Sequence, residues 1–244
     1  LKKYLGAKLK GFFRKDEACE HYLLNWARQI YDRKDILGLQ DLIKLVMRPL
    51  QSRHMVDAYL KMPHRAMEEL WWLNSLGFIG RMPGRDMEIN YFIMQSAVSV
   101  PPDLVLDLSS DTVLPTPWHP SSIVNMIGRI GPGRPLGKFK QSTNHRVTFM
   151  SPINLGWVDG GNHSITQAII SGEGQLVPNV YLDVTEVVKR IYFDGKAWRC
   201  IGSGEKRGQP RYVELGLVWE ISRLIVNLKE SSNDSGADDR DCVS

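Results

Sequence analysis

Six consecutive residues, Asp159-Gly160-Gly161-Asn162-His163-Ser164, place a carboxylate, an imidazole, an amide and a hydroxyl around a double glycine. The residues before them, Leu155–Val158, are apolar, and Ile165, Ala168 and Ile169 after them recur at helical spacing. The pattern predicts a strand, a tight glycine turn and a helix opening at Asn162. Backbone N–H groups and the positive end of the helix dipole then converge on one spot, which suits a phosphate or another anion. His163, in the first turn, can donate to a phosphate or act as a general acid or base, and the dipole disfavours its charged form. It can equally cap its own turn. Asp159 can orient His163, hold a divalent metal beside a phosphate or act as a base; it can also satisfy the amides of the glycine turn. Asn162 is first a helix N-cap and second a ligand contact. Ser164 can offer its hydroxyl to a phosphate.

Charge points to the same region. The chain of 244 residues carries a net charge of +4. Residues 230–244 hold five acids and one arginine, so a tail charge of −4 leaves +8 on residues 1–229. No Asp or Glu occurs between Asp111 and Asp159, whereas Arg129, Arg134, Lys138, Lys140 and Arg146 all do. An acid-free basic stretch leading into an anion-suited turn fits a polyanionic partner or a solvated loop. His119 and His145 would form a metal site with His163 if the fold brought all three together, although no paired ligand motif supports it. The loop Gly131–Gly137 lacks the Gly-Lys-Ser/Thr ending of a Walker A motif. Cys19, Cys200 and Cys242 are too scattered for a zinc pattern or a disulfide framework, which favours a reducing compartment and a cytoplasmic location. The apolar runs fall short of the roughly 20 residues that span a bilayer, so no membrane partner is expected. Leu1 stands where an initiator methionine would, which fits a chain that starts inside a longer protein.

The elements that position these residues follow from periodicity. Residues 1–100 read as a helical region. Leu23, Trp26, Ala27 and Ile30 share a face in Glu17–Arg33, and Leu39, Leu42, Ile43 and Val46 share one in Ile36–Arg48. Pro49 is expected to end or kink that second helix. Further helices are expected at Arg53–Lys61 and His64–Leu76, and Glu88–Val98 fits helix or strand. Pro101-Pro102 marks a boundary. From there short strands prevail: Leu104–Leu108, Thr112–Leu114, Arg146–Met150, Asn154–Val158 and Gln175–Asp183. A helix starts at Pro120, and a hairpin turns at Asp194-Gly195. Tyr212–Leu228 is a final amphipathic helix, and the acidic tail 230–244 is expected to be disordered.

The order of these elements over residues 103–184, with Asp159-Gly160-Gly161-Asn162-His163-Ser164 and the later Gly172-Glu-Gly-Gln-Leu-Val-Pro178, resembles the ParB/sulfiredoxin superfamily. That resemblance covers about a third of the chain. It implies an α+β fold: a helical N-terminal region packed on a small mixed-sheet core over 101–229, with a C-terminal helix. It implies a turn that cradles the phosphates of a nucleoside triphosphate with Mg2+, and in some members nucleotide hydrolysis or DNA nicking. Similar domains occur in bacterial DNA-maintenance, DNA-modification and phage-defence proteins. Asn162 stands where sulfiredoxins have a reactive cysteine, so thiol chemistry is not expected. Ser164 stands where the family has a phosphate-contacting arginine, so either Arg129 or Arg134 supplies that charge or the site is degenerate.

The sequence therefore predicts a protein that binds the phosphate of a nucleotide or nucleic acid, as a phosphohydrolase or nuclease or as a non-catalytic interaction or DNA-binding module. A homo-oligomer is open. His163 and Asp159 would act in catalysis. Gly160, Gly161, Asn162, Ser164, Arg129, Arg134, Lys138 and Lys140 would hold phosphate.

Overall fold

The computed structural model describes residues 17–60, 79–82, 85–88 and 95–235. The helix expected at His64–Leu76 lies outside them. Two helices open the described chain, α1 (Glu17–Asp32) and α2 (Ile36–Leu60). Pro49 lies inside α2, so the two helices expected on either side of it are one. A helix-interior proline costs about 3 kcal/mol. Burial of Ile43, Met47 and Leu50 around it, and of His54 and Ala58 beyond it, outweighs that local loss.

The region expected to be helical also contains strands. β1 (Ile79–Met82) pairs antiparallel with β2 (Arg85–Glu88). β3 is Ala97–Val98, which settles the end of the 88–98 segment as strand. Then follow β4 (Leu106–Asp107), β5 (Val113–Leu114), α3 (Pro120–Met126), β6 (Arg146–Ser151), β7 (Leu155–Gly160) and α4 (Asn162–Ser171). The strand expected over 175–183 divides into β8 (Gln175–Leu176) and β9 (Val180–Asp183). Pro178, between them, has no N–H to give a ladder. The chain closes with α5 (Thr185–Val188), the hairpin β10 (Ile191–Phe193) and β11 (Trp198–Cys200), and α6 (Val213–Ser235). α6 runs to Ser235, into the segment expected to be disordered.

The architecture is α+β. A five-stranded mixed sheet has the order β3-β9-β6-β7-β5. β6 and β7 are antiparallel, while β6 with β9 and β5 with β7 are parallel. Strand alternation divides the side chains between two cores. Leu114, Met150, Leu155, Trp157 and Leu182 meet α1, α2 and α6 on one face. Val113, Val147, Phe149 and Val158 meet Ile165 and Ala168 of α4, together with Leu106 and Leu176 of the β4–β8 pair, on the other.

Polar clamps from α2 fix the edge strand. Gln51 Nε2 donates to the Val113 carbonyl at 2.6 Å, Arg48 donates to the carbonyls of Ser109 and Ser110, and Lys44 pairs with Asp111 at 3.1 Å. Buried His54 bridges Tyr212 Oη and Thr116 Oγ1, each at 3.0 Å. The link 115–119 is thereby tied to the helical layer before it enters α3.

Ile43 is fully buried in the helical core. Ile43→Ala should lower unfolding free energy by about 2–5 kcal/mol, the range for a large-to-small change in a packed core. Urea denaturation would read this as a lower midpoint at an unchanged slope.

Candidate phosphate-binding site

The strand, glycine turn and helix form as the residue pattern requires. β7 ends at Gly160, Gly161 is the N-cap of α4 with φ +76°, and α4 starts at Asn162. Both glycines answer to the protein's own packing. A Cβ on Gly160 would lie 2.6 Å from the Asn144 carbonyl oxygen, and one on Gly161 would lie 2.3 Å from the His145 ring. The segment 144–146 therefore occupies the space beside the turn that a cradle would leave for phosphate.

The side chains of the turn are engaged in fixing neighbouring segments. Asn162 does not cap its helix; its Oδ1 accepts the Thr116 N–H at 2.6 Å. His163 Nε2 accepts the His119 N–H at 3.2 Å, so the neutral ring carries its proton on Nδ1. Burial, and then the nearby His119, hold the His163 pKa below its usual value. His119 is in turn the N-cap of α3, its Nδ1 accepting the Ser122 N–H. Trp118 packs near both imidazoles, its ring 5.5 Å from His119 and 6.2 Å from His163 between centroids.

Ser164 and His145 form a pair with a defined direction. His145 Nδ1 accepts the Ser142 N–H at 2.8 Å, which places the proton of the neutral ring on Nε2. Nε2–H donates to Ser164 Oγ at 2.7 Å, and Ser164 Oγ–H donates to the Gly161 carbonyl. A serine nucleophile needs a basic nitrogen facing its hydroxyl. Here that nitrogen is a donor, so the pair braces the turn and does not activate Ser164. Burial lowers the pKa of His145, in keeping with the neutral form.

Asp159 is not brought to His163. Two residues of β7 fill one step of β6 at this point, a register irregularity between Arg146 and Val147. Asp159 Oδ2 accepts a bond from Thr148 Oγ1 at 2.8 Å. Thr148 lies opposite Trp157, on the sheet face of the helical core, whereas α4 packs on the other face. Burial raises the Asp159 pKa. Its position does not fit a magnesium ion shared with a phosphate on α4, and no group of three His, Cys, Asp or Glu among the described residues could hold a metal. His145 faces Ser142 and Ser164, so the three histidines do not share a metal position either.

The expected cations are not gathered at the turn. Gln167, fully buried, accepts the Gly128 N–H and donates to the Ile130 carbonyl, and Ser171 donates to the same carbonyl. These bonds hold the loop 128–137 beside the later half of α4. Arg134 folds back to donate to Ile130 O. The Phe139 N–H donates to Glu173, and Gln141 exchanges bonds with Val177, so Lys138 and Lys140 flank the C-terminal end of α4. Ser171 is roughly 12 Å along the axis from His163 at about 1.5 Å per residue. Arg129, Lys138 and Lys140 are exposed. The cation that does stand at the turn is Arg146, whose guanidinium donates to the Asp159 carbonyl and would meet a Gly160 Cβ at 3.3 Å. Its signal was its place in the acid-free run, but only strand register reveals that it lies opposite Gly160.

What remains for an anion is backbone. The N–H groups of Asn162, His163 and Ser164 precede the first bond within α4, from Ile165 N to Gly161 O, and Gly161 provides no side-chain cap. These three amides form a small electropositive corner, with Arg146 at the preceding glycine and its charge acting on Asp159.

The fold and this corner define an α+β protein with an amide-lined helix terminus and a basic flank. The chain belongs to DUF6710, a family of unknown function, whose model matches residues 14–232. No curated protein and no solved structure matches it. Among the described residues no helix is long and apolar enough to cross a membrane.

Two predictions follow from the packing of the turn. Gly161→Ala combines a left-handed backbone with a clash on His145, and should lower the melting temperature by several degrees in a thermal scan. The histidines give a pH signature. Their folded pKa values lie below the usual 6.5, so their contribution is complete above about pH 6.5 and is lost as pH falls toward the folded values. Asp159, with a raised pKa, contributes in the opposite sense and at lower pH. Urea midpoints should fall between pH 7 and 5 in the parent and fall less in His145→Gln, which can still donate to Ser164.

Proposed function

We propose that this chain binds the phosphate backbone of a nucleic acid along α4, as a binding module and not as a phosphohydrolase or nuclease. One observation carries this reading: the first-turn amides of α4 have no side-chain cap, with Arg146 at the glycine turn before them and Lys138 and Lys140 flanking the other end of the helix. A single nucleotide would use one end of this surface. A polyanion, with charges repeating every few ångströms, matches positive groups spread over roughly 12 Å. The resemblance of the 159–164 turn to the ParB/sulfiredoxin superfamily supports phosphate as the ligand, and a cytoplasmic setting goes with it. The occupied side chains support binding without turnover. Asp159 and His163 are not joined, Ser164 faces a protonated nitrogen, and Asn162 and His163 are committed to the 116–119 link.

Fluorescence anisotropy with labelled single- and double-stranded oligonucleotides of mixed sequence tests this. Affinity should fall steeply with salt, and Lys138→Glu and Lys140→Glu should each weaken it across all sequences and reduce the salt slope by about one. Binding that ignores salt, or no binding at low salt by folded protein, would overturn the reading. A melting shift with ATP or CTP and Mg2+ but none with oligonucleotides would move the ligand to a free nucleotide.

A further inference from the structure

Away from α4, on the helical side of the sheet, α1, β10 and α6 enclose an open cleft of about 360 Å³. It is lined by Leu24, Asn25, Arg28, Phe193, Glu220 and Leu224. Small-molecule sites span roughly 300–1,000 Å³ and combine an apolar floor with a few placed polar groups. Leu24, Phe193 and Leu224 supply the floor.

The charged walls are held apart. On α6, Glu220 is fixed by the Phe193 N–H, which donates to Oε1 at 2.7 Å, and by Arg223, which donates to Oε2 at 2.8 Å. Phe193 is locked in turn. Gly216 carries no Cβ where one would approach the ring to 2.5 Å, and Trp198 packs on the ring at 5.6 Å between centroids. On α1, Arg28 is exposed and forms no ion pair among the described residues. Arg28 and Glu220 therefore share a cleft without pairing with each other. An ionised carboxylate offers about four acceptor positions, so two bonds leave Glu220 capacity for a further donor.

We propose that this cleft binds a free α-amino acid with an apolar side chain, its ammonium on Glu220, its carboxylate on Arg28 and Asn25, and its side chain on Leu24, Phe193 and Leu224. A simple carboxylate would be repelled by Glu220, and a simple amine would leave Arg28 unmatched. A zwitterion satisfies both walls at once, and a guanidinium grips a carboxylate in two-pronged fashion. Burial raises the Glu220 pKa, against the lowering effects of the Phe193 N–H and Arg223.

Titration of the 15N-labelled chain with L-phenylalanine and L-leucine, followed by amide NMR, tests the assignment. N-acetyl-L-phenylalanine and L-phenylalanine amide serve as singly charged controls. Amide shifts should fall on α1, β10 and α6, and each control should bind about tenfold more weakly or worse, as expected for a lost charged hydrogen bond. Arg28→Met alters an exposed position, and Glu220→Gln keeps an acceptor for the Phe193 N–H, so both variants should fold; each should lose about tenfold in affinity. No shift with either amino acid, controls that bind as well as the parent compounds, or full affinity in both variants would overturn it.

Discussion

Burial of the β6–β7 pair on both faces is the constraint on which the other elements depend. Val147, Phe149 and Val158 need cover on one side, and Met150, Leu155 and Trp157 need it on the other. A sheet buried twice must have a layer on each face. α2 and α6 supply one layer, with α1 beside them, and α4 with the β4–β8 pair supplies the other. Strand alternation then decides which residues can meet. Trp157 reaches His54 on α2, with ring centroids 5.6 Å apart, while Val158, one residue on, packs with Ile165 of α4. Asp159, at the register irregularity, bonds toward the Trp157 side. Two residues four apart in sequence thus take different partners, Asp159 the Thr148 hydroxyl and His163 the His119 N–H.

The glycine turn carries a related lesson about close approach. Glycine in a strand-to-helix turn has two physical meanings: room for a ligand, or room for the chain itself. At Gly160 and Gly161 the neighbour is the segment 144–146, brought there by its antiparallel pairing with β7. That segment is pinned by the bond from His145 to Ser164, and on the other side Asn162 and His163 pin the link 116–119. The first turn of α4 is a junction for three stretches of chain. Its polar residues are there because a junction away from regular sheet still has buried donors and acceptors to satisfy.

Local features of this fold were legible in the residues. Apolar spacing marks α1, the first half of α2, α3, α4 and α6, and Asp194-Gly195 marks the β10–β11 hairpin, where Asp194 Oδ1 accepts the N–H groups of Lys196 and Ala197. The strand–turn–helix at 155–171 was legible because each piece has its own local signal. Pro49 does not end the helix, since its penalty is local while the burial that overrides it comes from α6 and the sheet. The 175–183 run misled because its division follows from two different partners, β4 for Leu176 and β6 for β9, which no local pattern encodes. The placement of the cations was not legible for the same reason. Residue types at 159–164 and the acid-free run were visible, but whether Lys138 lies near Gly161 or near Glu173 depends on bonds from Gln167, Ser171 and Glu173 across tens of residues.

Those long-range bonds also bear on why the cations sit where they do. The C-terminal end of a helix carries partial negative charge, and Lys138 and Lys140 flank that end of α4, where the dipole favours them without any ligand. Arg146 has a different reason: its guanidinium donates to the Asp159 carbonyl at 3.4 Å and its charge acts on the Asp159 carboxylate. Asp159 shares that charge within the turn: Arg146 pulls its carboxyl pKa down against the raising effect of burial. The lysines can be explained by the fold alone. Arg146 is accounted for by Asp159, so the proposed phosphate contact is tied to the amides of Asn162, His163 and Ser164, which precede the first bond within α4, and not to the cations.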